Sequence, residues 1–137
     1  MRKITKGFTL IELMITVLIV GIIASFAFPN YRDYVIRAQN ADALSALNST
    51  KLKLEQFYQD NRTYSGACDS GSRAHPPTLE NFTISCDLDS NSYSITATGN
   101  GFVYTINEQN ERSTSSAPSG WSTSDDCWII NKNGTCQ

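Results

Sequence analysis

The stretch from Phe8 to Phe28, FTLIELMITVLIVGIIASFAF, constrains this chain more than any other, because it is apolar on every side and carries one charge, Glu12. At about 1.5 Å per residue it reaches roughly the 30 Å of bilayer hydrocarbon, so it reads as a membrane helix rather than a core element. Arg2, Lys3 and Lys6 precede it. A basic flank of this kind stays cytoplasmic and sends the following chain across the membrane. A secretory signal has an apolar core of about 7 to 15 residues and a small-residue cleavage site after it. Here the run is longer, and Pro29-Asn30-Tyr31 follows it.

Glu12 does not belong in a plain anchor, since an ionised group in hydrocarbon costs on the order of 3 kcal/mol. Between Phe8 and Tyr31 there is no Lys, Arg or His. The expectation is therefore a cationic partner from another molecule or from a newly made N-terminal amine. Two weak points also lie in the run: Gly21 lowers helix propensity, and Pro29 removes a backbone hydrogen bond and is expected to kink or loosen the turn before it.

Beyond Pro29 the helical pattern continues with no Gly or Pro from Asn30 to Ser65. Ile36, Ala43, Leu44, Leu47, Leu54 and Tyr58 fall on one arc, opposite Asp42, Ser45, Ser49, Lys53, Gln56 and Asp60. The spacing predicts one helix from residue 8 to about 60, apolar all round in its first half and amphipathic in its second. Ser65 to Pro77 reads as a loop. Alternation then predicts strands at Phe82–Leu88, Tyr93–Thr98 and Phe102–Ile106, with turns at Asp89-Ser90-Asn91 and Gly99-Asn100-Gly101. Their apolar face matches the helical stripe, so the expected fold class is α+β, a long helix packed on a small antiparallel sheet. Gln109 to Asp126 is polar and Ser/Thr-rich, expected to bury little apart from Trp121; Cys127-Trp128-Ile129-Ile130 is expected as a last short strand.

At 137 residues with a formal charge of −2, the chain has room for one domain plus its anchor. Residues 61 to 137 hold four basic against eight acidic side chains. Such a surface repels phosphate unless its cations cluster, which argues against DNA as the favoured partner. Cys68, Cys86, Cys127 and Cys136 all follow the apolar run, in a compartment that permits disulfides. Three pairings are open. Cys68 with Cys86 and Cys127 with Cys136 are preferred because each closes a local loop, with Asn133-Gly134 turning the chain back. The spacing has no CxxC and points away from zinc.

No catalytic constellation stands out. The one histidine, His75, sits before two prolines, and no nucleophile motif surrounds a Ser or Cys. Asp87 to Asn91 opens like a calcium loop, yet Ser92 stands at the glycine position and Thr98 at the bidentate glutamate position, so a plain turn is expected. N-x-[ST] matches such as Asn61-Arg62-Thr63 matter only in a glycosylating compartment. Tyr104, Trp121, Trp128, Arg112 and Lys132 have the chemistry of a single-strand clamp. The competing reading places Tyr104 and Trp128 in the core, and it is preferred.

Lys6-Gly7-Phe8-Thr9-Leu10-Ile11-Glu12-Leu13, followed by Gly21, Pro29 and Tyr31, resembles the start of a type IVa pilin. QFYQDNRTY, YTINEQNERST and the CW…KNGTC ending extend the resemblance toward the PilE-like minor pilins. It implies the type IV pilin fold, with residues 1–7 as leader, 8–28 as transmembrane and filament-core half, 29–60 as amphipathic half and 61–137 as head. It further implies a prepilin peptidase that cuts after Gly7 and methylates the Phe8 amine, which would then meet Glu12 of a neighbouring subunit. Gly21 to Pro29 would lose helix on assembly, and the Cys127–Cys136 loop would face solvent and carry partner recognition. Implied partners are other pilin subunits, the pilus assembly platform and, before assembly, the inner membrane, with no cofactor, metal or catalytic activity. Such pili serve adhesion, twitching motility or DNA uptake. Two alternatives stay open: a DNA-receptor pilin, with Arg112, Trp121 and Lys132 converging on the ligand, and a type II secretion pseudopilin.

Overall fold

The computed structural model describes residues 7–137, so the basic flank Arg2, Lys3 and Lys6 lies outside the described residues. Helix α1 runs Leu10–Asn61. The chain divides into two compact units, residues 1–35 and Ile36–Gln137. In the first, the apolar side chains from Phe8 to Phe28 are solvent-exposed throughout except for Ala24, which is half-buried. This segment is long and apolar enough to cross a membrane. The backbone is helical through positions 21 and 29, so neither Gly21 nor Pro29 ends the element. The side chains at positions 29 and 30 lie outside the described set.

In the second unit the expected stripe is the buried one. Ala43, Leu44, Leu47 and Leu54 are inaccessible or nearly so, with Ile36 and Tyr58 half-buried against them. Each fully buried leucine contributes about 1.5–3 kcal/mol of transfer free energy. Two polar residues share the stripe, Asn40 and Thr50, and neither side chain finds a hydrogen-bond partner among the described residues. The helix ends where the chain turns left-handed at Arg62 (φ 60), whose N–H donates to the Tyr58 carbonyl at 2.7 Å. This is a single-bond C-terminal cap made without glycine.

The sheet is an antiparallel meander in the order β1 (Thr83–Leu88), β2 (Tyr93–Gly99), β3 (Phe102–Asn107), β4 (Arg112–Ser116). Alternation is as the sequence predicts: Tyr93, Ile95, Ala97, Phe102, Tyr104 and Ile106 are buried while the residues between them are not. The β2–β3 turn is a two-residue loop, Asn100 (φ 51) and Gly101 (φ 80), closed by the Gly99–Phe102 pair. Positive φ at both positions is the twist-matched hairpin geometry that Asn-Gly favours.

Two expectations for the C-terminal third need correction. The Ser/Thr-rich segment is not merely peripheral, because Arg112–Ser116 adds β4 and places Thr114 fully inside. Residues 127–130 do not form a strand; they make one bridge, Ile129 with Cys136. Both follow from one residue. The Thr114 N–H donates to Ser124 O at 2.7 Å, and the Ser124 N–H returns to Thr114 O at 3.1 Å. The Thr114 hydroxyl donates to the Cys127 carbonyl at 3.0 Å and accepts from the Ile129 N–H at 2.9 Å. Threonine thus ties the returning chain to the sheet through side-chain bonds that hydropathy does not register.

Candidate assembly and binding sites

Thr9 is the N-cap of α1, and Glu12 is the third helical residue. The Thr9 N–H and hydroxyl both reach Glu12 Oε2, at 3.2 and 3.0 Å, and the Glu12 N–H donates to Thr9 Oγ1 at 3.3 Å. This is a capping box. It answers part of the question that Glu12 raises, because the carboxylate has donors within its own chain and sits at the positive end of the helix dipole. Its sequence signal is the T-x-x-E of Thr9 to Glu12. Phe8 is exposed beside it.

Both disulfides have the preferred local pairing, Cys68 with Cys86 and Cys127 with Cys136. The second closes a loop whose turn is held by Asn131, its Oδ1 accepting the Asn133 and Thr135 N–H groups at 3.0 and 3.1 Å. Lys132 lies exposed on that loop. Trp128, next to Cys127, is fully buried and donates its indole N–H to the Thr105 carbonyl at 2.8 Å. Tyr104 is also fully buried, its hydroxyl donating to the Ile129 carbonyl at 3.0 Å. Neither offers a face for stacking a base.

The remaining clamp candidates sit apart. Trp121 is half-buried and meets Phe102 edge-on at 4.9 Å. Arg112 lies over the Trp128 ring at 4.6 Å, a cation–π contact, in a cleft that it shares with Glu111, Asp125 and Asp126. Neither Trp121 nor Lys132 lines that cleft. His75 serves its loop, with Nδ1 2.8 Å from the Cys68 carbonyl; Asp87 and Leu88 end β1, and Asp89 to Asn91 lie in the β1–β2 connection.

A site that the sequence did not single out forms where the last turns of α1 meet the loop after it. Lys53 and Arg73 line a groove there with Gln56, Phe57, Asn61 and Ser72, and Asp60 is the one acidic residue in its lining. Lys53 and Arg73 are twenty residues apart in a chain whose head is acidic, so only folding brings them together. Close by in sequence, Glu55 anchors a tyrosine cluster. Tyr64 and Tyr93 donate to its two oxygens at 3.1 and 2.7 Å, and Tyr58 stacks on Tyr64 at 4.5 Å. Burial first, then the Glu55 bond and charge, push the Tyr64 hydroxyl up to about 12; Tyr93 is raised by the same causes.

An apolar N-terminal helix with a capped glutamate, continuing into an amphipathic half that packs on a four-stranded meander with a disulfide-closed C-terminal loop, defines a type IV pilin. The comparisons with known proteins carry this further. Residues 2–28 match the prokaryotic N-terminal methylation motif. Residues 29–127, well over half of the chain, match the family described as "Type IV minor pilin ComP, DNA uptake sequence receptor". The chain belongs to that family. Among curated proteins it is similar to a type IV major fimbrial protein FimA of Dichelobacter nodosus, 46% identical over 78 residues, which is 57% of this chain and 45% of the relative. A second FimA and a fimbrial protein of the same organism are each 48% identical over 60 residues, 44% of this chain and 38% of theirs. The aligned part spans less than half the length of these relatives.

Proposed function

We propose that this pilin is a minor subunit of an extracellular type IV pilus and that its head receives DNA. The observation that carries the DNA reading is the family match across residues 29–127, which covers most of the head. The groove of Lys53 and Arg73 supplies what the charge count of the head lacks, two cations converging beside a half-buried aromatic, Phe57. Cations that neutralise phosphates release counterions, which makes such binding salt-dependent. Charge alone makes DNA uptake the less favoured alternative; the family match supports adding it to the filament-subunit role.

Delivery to the filament follows the N-terminus. In this reading the precursor sits in the inner membrane through residues 8–28 with its N-terminus cytoplasmic. A prepilin peptidase cuts after Gly7 and methylates the Phe8 amine. The assembly platform then moves the subunit into the filament, where Glu12 exchanges its own Thr9 donors for the Phe8 amine of a neighbour. The FimA relatives support the filament role, and Gly21 and Pro29 supply the softness for repacking.

The Ile36–Gln137 unit has its own core and both disulfides, so it can be studied without the anchor. Its binding to duplex DNA, followed by fluorescence anisotropy over a salt series, is expected to weaken steeply with salt. Substituting Lys53→Ala and Arg73→Ala together is expected to lower the salt slope by about two. Binding that is absent or indifferent to salt would remove the DNA reading, and an unchanged slope in the double variant would remove this groove from it.

A further inference from the structure

The two edges of the sheet are finished differently. On β4 the backbone of Thr114 is bonded in both directions to Ser124, and the register with β3 shifts between Val103 and Tyr104. That edge is closed. On β1, six consecutive residues pair with β2 without a shift, from Thr83–Thr98 to Leu88–Tyr93. Among the described residues no backbone group of 83–88 bonds to anything outside the sheet. Every second residue of such a strand directs both its N–H and its C=O away from the ladder. Natural edges are blunted by charged side chains, Pro, a bulge or a covering loop; Thr83–Leu88 has no Pro and no bulge, and its one charge is Asp87.

Beside this edge lies a groove of about 640 Å³ between β1 and the loop after α1. Leu79, Ile84, Leu88 and the Cys68–Cys86 disulfide give it an apolar wall, and Asp69 stands in its lining, which contains no Lys or Arg. On the other face of β1 the side chains are Thr83, Ser85 and Asp87, all exposed. The edge therefore offers three things in one register: backbone groups unbonded outside the sheet, an apolar wall of Ile84, Leu88 and Leu79 in an otherwise mostly polar groove on the core side, and a carboxylate on the outer side.

We infer that β1 is a docking edge for an extended peptide of another protein, one that alternates apolar residues with Lys or Arg and adds to the sheet as a fifth strand. Main-chain bonds to β1 supply affinity, and the period-two alternation supplies selectivity. Apolar side chains of the incoming strand enter the groove beside Ile84 and Leu88. Its basic side chains fall on the opposite face, across from Asp87, where an unlike pair is favourable and a like pair is not. The same rule disfavours an acidic strand and a second copy of β1, which brings only Asp87.

The test uses the full chain in detergent micelles and a short synthetic peptide alternating Val with Lys. The peptide is expected to bind and to slow hydrogen exchange at the outward amides of β1. Asp87→Lys, at an exposed position that leaves the core intact, is expected to weaken binding about five- to tenfold. The same peptide with alternate amides N-methylated is expected not to bind, and neither is one alternating Val with Glu. No binding, protection elsewhere than β1, equal binding of either control peptide, or an unchanged affinity in the Asp87→Lys chain would each overturn the inference.

Discussion

Thr9 and Glu12 satisfy one another across the first turn of α1, the Thr9 N–H and hydroxyl meeting Glu12 Oε2 while the Glu12 N–H returns to Thr9 Oγ1. Within a single chain the carboxylate is therefore not bare. Substituting Thr9→Val removes the hydroxyl and keeps the N–H, and is expected to cost the helix terminus about 1 kcal/mol. Hydrogen exchange at amides 9–13 in micelles reads this directly. Glu12→Val is expected to leave the protein in the membrane fraction but lower the yield of pili if Glu12 pairs with a neighbour's amine as proposed; a normal yield would remove that pairing.

Gly21 has nothing within 4 Å of the position its Cβ would take. Gly21→Ala is therefore expected to strengthen the helix in micelles by about 0.5–1 kcal/mol. If softness at this position serves repacking, pilus yield falls while the monomer becomes more ordered, and the two measurements together separate the roles.

Thr114 holds the Cys127 carbonyl and the Ile129 N–H with one hydroxyl. Thr114→Val keeps the shape and the backbone bridge to Ser124 but strands two backbone groups, at about 1–3 kcal/mol each. Urea unfolding of the head is expected to show a loss of about 2–6 kcal/mol, with faster proteolysis between Ser124 and Gln137. A loss below about 0.5 kcal/mol would mean that water replaces the hydroxyl.

Gly99 closes the β2–β3 turn against the chain entering β1. A Cβ there would collide with the Asn81 carbonyl oxygen and lie 2.8 Å from Phe82 Cγ. Because the carbonyl belongs to the backbone, relief requires strand movement, and Gly99→Ala is expected to destabilise the head by about 1–3 kcal/mol in a urea titration.

The tyrosine cluster makes stability depend on alkaline pH. Tyr64 titrates near 10.0 when exposed and at about 12 in the fold, raised first by burial and then by Glu55. Below pH 10 it is protonated folded or unfolded, so its full contribution is present there. Between 10 and about 12 the unfolded chain releases the proton while the fold retains it, so stability falls as pH rises through that window. Tyr93 and Tyr104, also raised, act with the same sign. Melting temperature is expected to drop across this range. Glu55→Gln, by weakening one cause and leaving burial, is expected to narrow the window.

The amino-acid order by itself determined the two-part helix and the three-strand meander and favoured the local disulfides, because each rests on periodicity or on short loops that neighbouring residues control. The Phe8–Phe28 run and the Ile36–Tyr58 stripe are local patterns of this kind, as are Asn100-Gly101 and the spacing of the cysteines. What the tertiary structure alone decided is how distant polar groups are used. Thr114 became an internal tie because Ser124, Cys127 and Ile129 return to it from ten to fifteen residues away. Lys53 and Arg73 became one groove, and Trp128 became core rather than a stacking face, only once α1 and the loops were packed. Buried hydroxyls and clustered cations carry no hydrophobic period. Their partners are chosen by the three-dimensional path of the chain, and so is the open edge of β1, since the chain returns at Ser124 to the edge of β4 instead.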